Sequence, residues 1–232
     1  MNAQSKMSKR TVVMRRPAHP LRCDMGMAAR FLHGLDPDAD AFTFQTRDDR
    51  GHNPELSYVL HGRLETCARR LQVLNHYGAG VFVTVNETNG RGRALQQIKR
   101  VRGVWQRNSG QGQPLPLKPH LVVASHPYQY ESYWRVAGLT VAQARAIQET
   151  LVTYYGSDQA AQDLTGALRV PGFYHWQDEP HWVRLIHAAC DALYPAAVLM
   201  NAFPVIAFPN QSSERTKRDA IAPGCPVFPP RW

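Results

Sequence analysis

The stretch that most constrains the fold of this chain is Gly78 to Arg107, GAGVFVTVNETNGRGRALQQIKRVRGVWQR. Its first part, GVFVTV at 80–85, is short, β-branched and bounded by glycines and Asn86, which favours a buried strand over a helix. The chain then turns beside Asn86, Glu87 and Thr88 and becomes basic, with Arg91, Arg93, Lys99, Arg100, Arg102, Arg107 and, further on, Lys118. No acidic residue occurs from Thr88 to Tyr130. A run of one sign is either a solvated face or a platform for a polyanion, and the missing acids favour the platform.

The rest of the chain fits that partner. Its 232 residues and 44% hydrophobic content support one main domain with a substantial core. The formal net charge is +9, and only five of the 27 basic residues are lysine. Arginine dominance favours bidentate contacts to phosphate. Cys23, Cys67, Cys190 and Cys225 lie far apart, without the pairing of a zinc knuckle or redox motif. No apolar run approaches the roughly 20 residues of a membrane span, and the N-terminus lacks a signal-peptide core. A cytoplasmic protein with reduced cysteines and no membrane partner is expected.

Residues 1–20 read as a basic flexible arm, 21–200 as the folded domain and 201–232 as a proline-rich tail. Within the domain, helices are expected at 25–35, at 62–77 from the spacing of Leu64, Ala68, Leu71 and Leu74, and from Thr140, which forms a capping-box pattern with Gln143. A further short helix is expected at 159–166. Strands are expected at 41–46, 80–85, 101–106, 120–125, 132–136 and 182–187, with a polar loop at RDDRGHNPE. The order suits an α+β fold, a mixed or antiparallel sheet with flanking helices.

Taken together, GAGVFVTVNETNGRGR, RVRGVW, PHLVVAS, SYW and ALRVPGFYH, in that order, resemble the RepB-like primase domain of plasmids and phages, in the archaeo-eukaryotic primase superfamily. The likeness runs from about Ala28 to His187. It implies a primase-polymerase, split RRM-like fold that makes short primers on single-stranded DNA from nucleotides and a divalent metal. The family's metal motif is a strand reading apolar, Asp, apolar, Asp, Gly. The matching positions here hold Arg107 and Ser109 in place of the two aspartates. Where the family's nucleotide-contacting histidine is expected, before Tyr133 and Trp134, this chain has Glu131. The third block keeps Asp163, Arg169 and His175.

Clustered carboxylates hold the hard metal ions of two-metal phosphoryl transfer, and Arg107 puts a permanent positive charge in their place. The expected function is therefore a primase-like, single-stranded-DNA-binding domain of a plasmid, phage or mobile-element replication system, with primer synthesis impaired or lost. Its contacts to nucleotide or nucleic acid would come from Asn86, Thr88, Arg91, Arg93, Lys99, Arg100, Arg102, Arg107, Ser109, His126, Arg169 and His175. Tyr128 and Tyr130, in a loop, are the candidates for base stacking ahead of Trp134. Asn86, Glu87 and Thr88 also suit plain turn chemistry, in which short side chains satisfy backbone groups. The first alternative is an active, divergent primase-polymerase using Glu87, Glu131 and Asp163 with Mg²⁺ or Mn²⁺, which requires those carboxylates to cluster. The second is a non-catalytic protein-interaction domain, and a replication helicase or relaxase on another chain is the expected companion.

Overall fold

A computed structural model describes residues 21–92, 94–108, 113–189 and 191–204. The basic arm, most of the proline-rich tail, Arg93, Ser109, Cys190 and Cys225 lie outside the described residues.

Asp24 caps the first described helix. Its carboxylate accepts from the Met27 N–H at 2.8 Å and starts α1 (Met25–Leu35), the helix expected at 25–35. The other helices are α2 (Leu64–His76), α3 (Val141–Thr153) and α4 (Ala196–Ala202). The Thr140–Gln143 capping box at the start of α3 is formed in both directions, at 3.3 and 3.0 Å. The helix expected at 159–166 is instead a 3-10 turn at Gln159–Gln162. There Asp158 bonds the Ala160 N–H and Asp163 bonds the Thr165 N–H, so short acidic side chains compete with helical hydrogen bonding.

The first sheet contains β1 (Phe42–Asp48), β2 (Tyr58–Gly62), β3 (Ala79–Thr84) and β9 (Ala167–Arg169), in the antiparallel order β2-β1-β3-β9. A small hairpin, β4 (Glu87–Thr88) with β5 (Ile98–Arg100), leaves the end of β3. The second sheet is built on the hairpin of β7 (Leu121–His126) and β8 (Gln129–Ala137). Here β6 (Gly103–Asn108) pairs with β8 and β12 (Arg184–Ala188) with β7, all antiparallel. The two-residue strand β13 (Tyr194–Pro195) runs parallel to the end of β8. Two more short strands, β10 (Tyr174–His175) and β11 (His181–Trp182), pair with each other. The strand expected at 182–187 is broken at Val183, which turns inward and is buried.

One apolar cluster spans both sheets. It includes Phe44, Val81 and Val83 of the first, Trp105, Leu121, Val123 and Tyr133 of the second, and Phe31 and Leu32 of α1. Phe31 meets Tyr133 edge-on at 5.5 Å. Every residue of β3 is buried, as expected for the GVFVTV run. Gly80 is required in that strand, because a Cβ there would collide with the Asp49 carboxylate and the Arg169 guanidinium. The result is an α+β molecule with helices flanking two largely antiparallel sheets.

Candidate nucleic-acid and nucleotide site

The register of β6 against β8 sets Arg107 directly opposite Glu131. Alternation along β6 sends Gln106 the other way, where its amide donates to the Tyr155 carbonyl at 2.7 Å. The Arg107 guanidinium donates to Glu131 Oε1 from Nη2 at 3.1 Å and from Nε at 3.2 Å. Tyr133 gives its hydroxyl proton to Glu131 Oε2 at 3.0 Å. Glu131 is fully buried and the Arg107 side chain is 18% exposed. Burial opposes the charge on Arg107, but the facing Glu131 outweighs it and raises the guanidinium pKa. Tyr133 moves well above the ordinary phenol value, through burial first and the Glu131 charge second. Two of the three positions read from the sequence as departures from the resembled family's pattern, Arg107 and Glu131, thus meet as one ion pair.

The remaining carboxylates do not assemble. Glu87 is held by Lys99 at 3.2 Å and Arg100 at 2.8 Å. Partial burial works against its charge, yet these two donors prevail and its pKa is lowered. Asp163 accepts from the Thr165 N–H and hydroxyl. Among the described residues, no group of three or more histidine, cysteine or acidic side chains is arranged to hold a metal ion. The side chains present do not fit a two-metal centre, and the cluster required by the divergent-polymerase alternative is absent from the described residues.

The basic platform is not of one sign in space. Asp36, at the end of α1, accepts from Arg100 Nη2 and Arg102 Nε, both at 2.6 Å. Arg102 is buried with it and stacks its guanidinium 4.8 Å from the Phe42 ring centre. Asp36 and Glu87 therefore pair with Lys99, Arg100 and Arg102, while Arg91 stays exposed. Asn86 joins separate segments: its side chain accepts from the Arg102 N–H at 3.0 Å and donates to the Leu164 carbonyl at 3.1 Å. The Thr88 and Thr43 hydroxyls bond each other at 2.7 Å.

The third block lies at the other end of β3. Arg169 makes a bidentate pair with Asp49, at 2.8 and 3.0 Å, and its guanidinium sits 4.6 Å from the Phe82 ring centre. Asp49 also accepts from the Trp176 N–H at 2.9 Å. His175 is buried against the Ser125 carbonyl at 3.2 Å, and its pKa falls to about 4 through burial and then the nearby Arg169 charge. The His126 ring stands 5.1 Å from that of His175 and 5.5 Å from that of His181. Trp134 and Tyr133 are core, whereas Tyr130 is 39% and Tyr128 82% exposed at the β7–β8 turn. Asp36, Asp49 and the β1 side chains Gln45 and Arg47 escaped the sequence reading. They sit in polar stretches whose facing partners are 60 or more residues away, or belong to a strand read only for its apolar alternation.

Residues 107–203 match the RepB DNA-primase N-terminal domain. The resemblance read in the sequence is therefore borne out. Among solved structures, the chain is similar to the archaeo-eukaryotic primase domain of the cyanophage S-2L primase-polymerase, with TM-score 0.65 and 14% identity over 79% of this chain and 100% of that one. It is also similar to primase RepB′, with TM-score 0.58 and 18% identity over 84% of this chain and 65% of that one. The catalytic domain of RepB′, in complex with initiator DNA, gives the same score and identity over 85% of this chain and 98% of that one. No curated protein matches the sequence. The fold is that of the primase-polymerases. No described helix is long and apolar enough to cross a membrane.

Proposed function

We propose that this chain is a nucleic-acid-binding primase-type domain of a plasmid, phage or other mobile-element replication system, and that it binds single-stranded DNA with primer synthesis impaired or lost. The observation that carries the reading is the Arg107–Glu131 ion pair at two positions where the family holds a metal-binding aspartate and a nucleotide-contacting histidine. A dication about 4 Å from a guanidinium is opposed by several kcal/mol even at an effective dielectric near 20. Glu131 cannot turn to a metal without leaving Arg107 and Tyr133 unpaired in a buried site. Binding needs none of that chemistry. Arg91 is exposed, Tyr128 projects from a hairpin turn, and the similar RepB′ domain was solved with initiator DNA.

Primer synthesis and single-stranded DNA binding measured on one preparation test the proposal. The expected result is salt-sensitive binding in EDTA, and little or no primer product with template, nucleotides and either Mg²⁺ or Mn²⁺. Synthesis at the rate of a family member with both aspartates overturns the catalytic half. Absence of DNA binding overturns the other.

A further inference from the structure

Tyr128 stands at the tip of the β7–β8 hairpin with its backbone in the left-handed region, at φ +63°, and is the only non-glycine among the described residues to do so. His126 pairs with Gln129, which leaves Pro127 and Tyr128 as a two-residue loop. Such loops normally take a positive φ at their first position, which the proline ring forbids, so the left-handed conformation falls on the second. Glycine or asparagine usually fills a position of this kind, because a Cβ strains it. Here it carries a large ring that is 82% exposed and has no hydrogen-bond or ring partner among the described residues. Neither the strain nor the exposure stabilises the fold, and an outlier of this sort points to a role in binding.

The strand register extends the surface. Tyr130, also exposed, faces Ala124 of β7, and Ala124 faces Arg184 of β12, so the three lie in one row across the strands. Side chains alternate along β8, which puts Tyr130 and Arg184 on the face of the second sheet opposite the one that carries Glu131. Arg184 is exposed and, unlike Arg100, Arg102 and Arg107, forms no ion pair among the described residues. Its charge reaches His181, whose pKa is lowered by burial first and then by His126 and Arg184. A stable protein interface takes about 800 Å² from each partner, more than a hairpin tip offers, whereas one ring face is enough for one base. In a duplex those base faces are already taken up by stacking, and freeing one is costly.

We infer that this surface is where the domain tells a single strand from a duplex: Tyr128 and Tyr130 stack on unpaired bases, and Arg184 meets a phosphate of the same strand. The inference rests on the DNA-binding reading proposed above.

Titrations of the full chain in EDTA test it with three probes of one length: a single strand, the same sequence as a duplex, and a single strand whose central nucleotides lack bases. Tyr128→Asn places a residue suited to the left-handed turn and should melt no lower than the native protein. It is expected to weaken binding of the intact single strand about tenfold, the loss of one stacked base, and to leave the duplex and the abasic strand unchanged. Tyr128→Phe keeps the ring and should bind all three as the native protein does. Arg184→Gln should weaken all three and lower the salt slope by about one charge; an unchanged slope overturns the phosphate contact. If DNA binds but Tyr128→Asn costs nothing, or costs the same on every probe, the inference is overturned and the DNA-binding reading survives. If the native protein binds none of the probes, that reading falls and the inference with it.

Discussion

Because Glu131 is buried and its two oxygens are taken by Arg107 and Tyr133, substitutions at these three residues should not add independently. Arg107→Ala leaves an uncompensated buried carboxylate and is expected to cost about 3 kcal/mol. Replacing the whole set, Arg107→Met with Glu131→Leu and Tyr133→Phe, removes every group that needs a partner. That triple variant should unfold within about 1 kcal/mol of the native protein, because a buried ion pair is seldom more stabilising than apolar groups of similar volume. Urea denaturation of the single and triple variants checks this. Equal losses in both would mean that the pair contributes net stability. The same logic distinguishes Asn86, which looked like a site residue or a turn residue from its place in VNET. Its side chain satisfies backbone groups on both sides, so Asn86→Ala should cost about 2 kcal/mol whatever its effect on DNA.

Among the elements, those whose signal is local were legible. The three longer helices announce themselves through apolar spacing, a capping box or a glycine stop, and β3 through its unbroken apolar run. The edge strand β2 was not read from the sequence, since Tyr58 and Val59 face solvent and no alternation marks it. The Arg107–Glu131 pairing was equally invisible: each departure from the family pattern stood out separately, but only the β6–β8 register makes them neighbours. The hairpin β4–β5 shows the converse error, because a basic run in one dimension is laced with Asp36 and Glu87 in three. This divides the basic residues into two kinds. Reversing Arg91 and Arg93 to glutamate should weaken single-stranded DNA binding and flatten its dependence on salt by about two charges' worth. Neutralising Asp36 with Asp36→Asn should act mainly on stability, by about 2–3 kcal/mol, because buried Arg102 loses its counter-ion. Binding titrations at several salt concentrations, beside thermal melts, separate the two effects. If the reversals left affinity and salt slope unchanged, Arg91 and Arg93 would not be at the interface.

For the molecule as a whole, the segments that tie the sheets together converge on His175, which links β10 to the Ser125 carbonyl of β7 and lies near the Arg169–Asp49 pair. Its folded pKa of about 4 lies below the ordinary imidazole value near 6.5, so between those limits the unfolded chain binds more protons than the folded one. The neutral ring's contribution is therefore fully present above about pH 6.5 and is lost as pH falls towards 4. His181 and His120, also pushed down by burial first, add in the same direction. Acidification should loosen the junction between the sheets before it protonates well-paired carboxylates such as Glu87, whose pKa is lowered. Allowing for screening, the His175 share is on the order of 1–2 kcal/mol. Melting temperatures from pH 7 to pH 4 for the native protein and for His175→Gln isolate it, since the variant keeps a polar side chain but cannot gain the proton. The native curve should fall more steeply than the variant's between pH 6.5 and 4. Parallel curves would place the His175 proton equilibrium outside folding, and would leave the acid sensitivity of the domain to its carboxylate pairs.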